Sequence, residues 1–351
     1  MKSGQGLILH VALLGVAGAL AVRVLTRGET PAGAAEQVEV WGGNPGSLKS
    51  LTFESKNNKV SLDARKDSRG RWYVGTVEKT NEAPAGADAG APMVSSMVGD
   101  GGAAPAAAGK PVKKTETTHF VAIKEGEKLA ESIAPLMAMR ALGKLPPAQV
   151  PEFGLDKPEG TLRVVFNDKT RTLTVGGLTP GGSDRYARNP DTGEAYAVSG
   201  DFVRSLMFAD SRLIARELHD FEPDEVTRAV VTRAKSSREL VKMTGKKQGW
   251  ADAKTPDKLD ETAGNWMSKV ERLTASQYME QVGVPVLPEY NVLKVEYFNG
   301  SKPVGFLELI KIPDAKSNAG YIAKTEHTRW YAQVLKSSAE QIETDANSVL
   351  K

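Results

Sequence analysis

The chain has 351 residues, with 46 basic against 43 acidic side chains, four histidines and no cysteine. Its formal charge of +3 arises within the first 28 residues, which hold Lys2, Arg23 and Arg27 and no acid, so the body is neutral overall and offers no electrostatic footprint for nucleic acid. Lack of cysteine excludes a disulfide framework and thiolate chemistry, and the length gives room for two modest domains, each with its own core.

The first predicted element is Leu7 to Leu25, LILHVALLGVAGALAVRVL, nineteen apolar residues broken by His10 and Arg23. That run suffices for a helix crossing roughly 30 Å of hydrocarbon, and it predicts an N-terminal membrane anchor over residues 1–28. A cleaved signal peptide, cut at Ala19-Leu20-Ala21 or Ala32-Gly33-Ala34, is the alternative. Both readings carry the body across the membrane. The positive charges lie on both sides of the run, so the positive-inside rule barely votes on orientation.

After a Pro/Ala/Gly spacer, Val38 to Trp41 opens a strand pattern, and residues 48–75 predict two or three antiparallel strands joined near Asn57-Asn58 and at a Gly-containing turn. Residues 81–114 are dominated by Ala, Gly and Pro, a composition that buries too little apolar surface to offset its ordering entropy, and predict a disordered loop. A helix is expected over Glu127 to Leu145, kinked or started by Pro135. Strands follow from Leu162, with a hairpin at Asn167-Asp168, and Gly200 to Met207 predicts a short helix capped by Ser199.

The remainder repeats this order. Phe53, Leu62 and Trp72 align with Val231, Leu240 and Trp250 at one offset (231 − 53 = 240 − 62 = 250 − 72 = 178). Leu162 aligns with Leu293, and Tyr186 and Tyr196 with Tyr321 and Tyr331, ten apart in both copies. Leu259, Ala263, Trp266, Met267, Val270 and Leu273 recur at helical steps. A hairpin is expected at Asn299-Gly300 and a last helix over Ser337 to Leu350. From Trp72 to Gly154 is 82 residues, against 33 from Trp250 to Gly283, so the first copy carries an insertion that 81–114 mostly accounts for. The expected class is α+β: an N-terminal transmembrane helix, then two tandem repeats of mainly antiparallel sheet with packed helices. The boundaries are 1–28 for the anchor, 38–216 for the first repeat with its 81–114 insertion, and 222–351 for the second.

FGLDKP at Phe153 to Pro158, then VGG at Val175 to Gly177, YAR at Tyr186 to Arg188 and YAV at Tyr196 to Val198 give the chain a likeness from about Leu51 to Gln281. It resembles the bacterial family known as domain of unknown function 4340. The resemblance implies an envelope protein held in the inner membrane by a single pass, with its body in the periplasm. It also implies a neighbourhood of ABC-type transporter components similar to those of the gliding-motility auxiliary system. It transfers no catalytic residues.

Little in the residues points to chemistry. His119, His219 and His327 are scattered and show no metal-ligand spacing, which predicts surface histidines. Asp220, Glu222, Asp224 and Glu225 surround Pro223 at the joint between the copies and read as a solvated linker ahead of a cation site. The glycine-rich Gly176 to Arg185 has no P-loop lysine, and Gly109-Lys110 is followed by Pro111 where a Walker motif needs Ser or Thr. Tyr186, Tyr196, Tyr321, Tyr331 and Trp330 read as core aromatics, with a binding platform as the rival. Lys242, Lys246 and Lys247, like Arg65, Lys66, Arg69 and Arg71, read as solvated hairpin turns, with phosphate headgroups as the functional alternative. No catalytic, cofactor or metal residues are assigned. The expected function is a non-enzymatic scaffold or accessory subunit, bound to the membrane through Leu7 to Leu25 and partnered by an integral-membrane or envelope protein. A periplasmic carbohydrate- or peptide-binding module is the alternative, and a hydrolase a weak third.

Overall fold

The structure, a computed structural model, describes residues 37–83, 112–167, 169–243, 248–282, 285–313 and 320–351. The expected anchor, Leu7 to Leu25, lies outside them, as do the centre of the Ala/Gly/Pro segment, Gly109-Lys110, Asp168, Lys246 and Lys247. Among the described residues no helix is long and apolar enough to cross a membrane.

Eighteen strands and five α-helices are described, with two antiparallel sheets. In the first copy the strands are β1 (Val38–Trp41), β2 (Leu48–Ser55), β3 (Asn58–Asp67), β4 (Gly70–Ala83), β5 (Val112–Ala122), β6 (Leu136–Lys144), β7 (Gly160–Phe166), β8 (Thr170–Leu178), β9 (Arg185–Arg188) and β10 (Glu194–Val198). Its helices are α1 (Lys124–Ile133), α2 (Gly200–Met207) and α3 (Ala209–Arg212). The second copy holds β11 (Arg228–Arg233), β12 (Ser236–Met243), β13 (Gly249–Asp252), α4 (Glu261–Glu271), β14 (Ala275–Met279), β15 (Asn291–Asn299), β16 (Lys302–Lys311), β17 (Tyr321–Thr325), β18 (Tyr331–Val334) and α5 (Lys336–Val349).

The two sheets share one strand order. The second runs β13-β12-β11-β15-β16-β17-β18-β14, and the first, read from its β4 side, runs β4-β3-β2-β7-β8-β9-β10-β6. Element by element these are the same path. The first sheet adds one strand at each edge, β5 beyond β4 and β1 beyond β6. The repeated positions are core: Phe53, Val231 and Leu240 are 0% exposed, and Trp72 and Trp250 are buried. Within each copy one apolar helix face closes the core. Asp260 caps α4 by accepting from Ala263 N at 2.9 Å, which turns Ala263, Trp266, Met267 and Val270 inward against α5. Trp266 is 1% exposed and donates its indole N–H to Ile342 O at 3.0 Å, a burial worth about 2–3 kcal/mol. Ser199 caps α2 as expected, accepting from Asp201 N at 3.3 Å.

Three expectations are corrected. The helix read over Glu127 to Leu145 runs Lys124–Ile133, and Leu136–Lys144 is strand β6 instead. Pro135 cannot supply the helical N–H, and the following Leu136 and Ala138 alternate inward as β6 pairs with β1 and β10. The segment read as an insertion is strand at both ends, where Asn81 pairs with Lys114 and Ala83 with Val112. The tyrosine alignment slips by one residue. Ala187 pairs with Tyr196 across β9 and β10, and Ala323 with Ala332 across β17 and β18, an offset of 136 (323 − 187 and 332 − 196). The tyrosines match only at 135. A one-residue slip exchanges sheet faces, so Tyr196 is buried where Tyr331 is half-buried, and Tyr321 is buried where Tyr186 is not.

Candidate functional site

The two copies are joined by residues 213–227, and the chemistry of the described residues concentrates there. Ala215 donates its N–H to Val121 O of the first copy at 2.8 Å, while Arg216 O accepts from Ala275 N of the second at 2.9 Å. The Tyr278 hydroxyl adds a buried bond to Ala215 O at 2.8 Å. The linker backbone thereby bridges edge strands β5 and β14. Beside it, the turn after β17 is drawn in: Thr325 Oγ1 donates to Leu218 O and accepts from His327 N at 3.2 Å and Thr328 N at 3.1 Å.

That turn docks on the hairpin between β3 and β4. Arg329 has a side chain 4% exposed, with Nε 3.0 Å from Asp67 Oδ2 and an Nη donating to His327 O at 2.6 Å. In return, Arg69 donates to Glu326 O at 2.5 Å and Thr328 O at 3.1 Å. Trp72 and Trp330 meet edge to face with centroids 6.0 Å apart. Arg71 ties the same hairpin to its own copy, donating to Pro45 O and to Leu48 O at 2.8 Å. Arg69 and Arg71 were expected to be solvated; Arg69 instead bonds the turn of the second copy, and Arg71 braces the hairpin within its own. Arg65 and Lys66 are exposed, as expected.

Two of the three histidines expected at the surface are not there. His119 is exposed beside Thr76. His327 is 6% exposed, and burial holds its imidazole below the ordinary histidine value, Asp220 opposing and Arg329 and Lys124 reinforcing the shift. Its counterpart in the first copy at the 136 offset, Asp191, sits in the same turn and is exposed. The second copy's turn docks on the β3–β4 hairpin of the first, which covers His327. His219 places Nδ1 at 2.9 and 3.3 Å from the two Glu326 oxygens, and Glu326 also accepts from Phe306 N at 2.8 Å. Gly305 makes that approach possible, since a Cβ there would stand 2.5 Å from both Glu326 Oε2 and Phe221 Cε1.

His219, Phe221 and Tyr297 form an aromatic triangle with centroid separations of 4.6, 5.0 and 5.2 Å. They line a cavity of about 240 Å³ with Leu218, Leu273 and Glu271. Tyr297 is 1% exposed; burial first, then Glu271 and Glu326, push its phenol upward. Neither Tyr297 Oη nor His219 Nε2 has a hydrogen-bond partner. An open cleft of about 550 Å³ shares Lys124, Asp220 and Phe221 with that cavity and is also lined by Arg69 of the first copy and Lys302 and Glu326 of the second.

The remaining candidates stay apart. Asp220, Glu222, Asp224 and Glu225 are exposed, and Asp220 pairs with Lys124 at 3.3 Å and Asp224 with Lys242 at 3.7 Å. Among the described residues no group of three or more histidines and acids is placed to hold a metal. Gly176 to Arg185 covers the end of β8, the connection 179–184 and the start of β9. Tyr321 is buried with its hydroxyl on Glu343, and Trp330 is engaged by Trp72, so the tyrosines build no exposed platform.

A family comparison covers this joint. Residues 124–294 match the family described as Domain of unknown function (DUF4340). That match covers 171 of the 351 residues (294 − 124 + 1 = 171). It starts at α1 and ends within β15, so it spans the joint and neither repeat whole. The sequence resemblance, placed at about Leu51 to Gln281, overlaps this match over residues 124–281. No curated protein and no solved structure matches the chain. The DUF4340 segment contains His219, Phe221 and Glu271, whereas Tyr297 and Glu326 follow it. Sequence reasoning missed His219 and Glu326 because 107 positions separate them. The one usable signal was location, since both lie where the two copies differ.

Proposed function

We propose that the protein is a non-enzymatic, membrane-anchored extracytoplasmic scaffold or accessory subunit of a transporter-type or envelope complex. The observation that carries this reading is the fixed joint. Two copies of one sheet path are held by a nearly fully buried arginine, a tryptophan pair and a backbone bridge. Such a joint keeps two sheet units at one mutual angle, which suits a platform that positions partners. The apolar run Leu7 to Leu25 and the family resemblance support the inner membrane and a periplasmic body. Crosslinking in intact membranes followed by mass spectrometry tests it. Recovery of one specific integral-membrane partner is expected, and a chain that leaves the membrane on alkaline washing and crosslinks to nothing defeats the reading.

The alternative, a periplasmic binding module, is favoured by one observation: the small cavity at the joint, with two buried polar atoms unpartnered.

A further inference from the structure

The cavity beside the linker has an uneven set of polar groups. Its rim carries Glu217, Asp220, Glu222 and Glu271, all exposed, against Lys124. Lys124 is already paired with Asp220. The wall is apolar and aromatic: Leu218, Leu273 and Tyr297 are buried, and Phe221 lies against the Tyr297 ring at 5.2 Å. Acidic side chains alone would say nothing. The independent observation is that Tyr297 Oη and His219 Nε2, both buried, lack partners, whereas buried polar groups are ordinarily paired.

The hydrogen-bond network fixes what those two atoms need. His219 Nδ1 lies within 2.9 Å of a carboxylate, which accepts only, so Nδ1 carries the proton. With a single ring proton, held on Nδ1, the imidazole presents Nε2 as an acceptor. A phenol oxygen also accepts. Both unpartnered atoms can therefore accept from a donor, and the carboxylate rim favours a positively charged one. Aromatic faces add cation–π attraction. At about 240 Å³ the cavity is smaller than the roughly 300–1,000 Å³ of pockets for drug-sized ligands. It fits one short chain.

We propose that this cavity binds a primary alkylammonium group, its N–H bonds given to His219 Nε2 and Tyr297 Oη, its charge facing the Glu271 side of the rim, and its stem against Leu218 and Leu273. A free aliphatic amine and a lysine side chain of a partner share this chemistry. The site holds whether the protein is a scaffold or a binding module.

Calorimetric titration of the full chain with n-butylammonium chloride and, separately, n-butanol tests it, with Tyr297→Phe and Glu271→Gln as variants. The amine should bind at least tenfold more tightly than the alcohol. Tyr297→Phe keeps the ring and should weaken the amine about fivefold to tenfold, as for loss of a bond to a charged group. Glu271→Gln, at an exposed position, should weaken it severalfold with unchanged circular dichroism. Competition by N-acetyl-lysine methylamide at similar affinity assigns the site to a lysine side chain; failure to compete while butylammonium binds assigns it to a free amine. Equal binding of amine and alcohol, no heat for the amine at tens of millimolar, or affinity unmoved by both variants would overturn the assignment.

Discussion

Arg329→Met removes the guanidinium that joins the two copies while keeping a long apolar stem. Its side chain is 4% exposed, so the charge is almost fully desolvated in the folded protein, and Asp67 at 3.0 Å is its counter-ion. Breaking one side of a buried pair costs about 3–5 kcal/mol when the remaining charge stays buried. Asp67, with 31% side-chain exposure and Arg69 still within 3.4 Å, can rehydrate, which moves the expectation to the lower end. His327 O also loses a donor at 2.6 Å, a bond to a charged group worth about 1.5–3 kcal/mol that partly overlaps the first figure. A net loss of about 3 kcal/mol follows. The loss is placed at the joint, so the character of unfolding should change too. Urea melts followed by tryptophan fluorescence and by far-ultraviolet circular dichroism should coincide in the parent and separate in the variant. Destabilisation below about 0.5 kcal/mol, the range of ordinary surface changes, with coincident transitions, would refute the idea that Arg329 locks the copies.

Four further outcomes follow from the same geometry. A Trp72→Ala, Trp330→Ala double-mutant cycle should return a coupling of about 0.5–1.5 kcal/mol for the edge-to-face pair, and additive effects would mean the rings merely share a neighbourhood. Gly305→Ala puts a Cβ 2.5 Å from Glu326 and Phe221, so a cost of about 1–3 kcal/mol and loss of the His219–Glu326 contact in the imidazole NMR signals are expected; an unchanged imidazole spectrum contradicts the close approach. His327 is held below its ordinary 6.5 in the folded state, so the unfolded chain binds the extra proton first: stability is complete above about pH 6.5 and declines as pH falls below it. In His327→Asn the fall between pH 7.5 and 5.5 should flatten, and an unchanged profile places the titration elsewhere. Trp266→Ala, deleting a 1% exposed ring bonded to Ile342 O, should cost about 3–5 kcal/mol by denaturant melt, and a cost under 1 kcal/mol would place α4 outside the core.

The sequence alone determined the duplication, because its signal is apolar spacing, and spacing is what strands and helices read locally. Phe53 with Val231 and Leu62 with Leu240 occupy equal places in one sheet path, and the β2–β3 register Leu51 to Leu62 reappears in β11–β12 as Ala229 to Leu240. Local chemistry also marked the Ser199 cap and the inward face of α4. Matching spacing failed for the tyrosines, since ten residues between two of them does not fix which face each meets; only the ladder, with its offset of 136, does that. It failed again after Pro135, where the apolar residues suit both helix and strand and the choice was made by β1 and β10 waiting on either side. The tertiary structure alone decided the joint. Arg69, His219 and His327 read in the sequence as surface or turn residues, and nothing local singles out Glu326 or Arg329. They are buried or engaged because the second copy folds back onto the first, bringing residues more than 100 positions apart into hydrogen-bonding distance. Charge and burial at such a contact depend on what lies across it, and no local pattern carries that information.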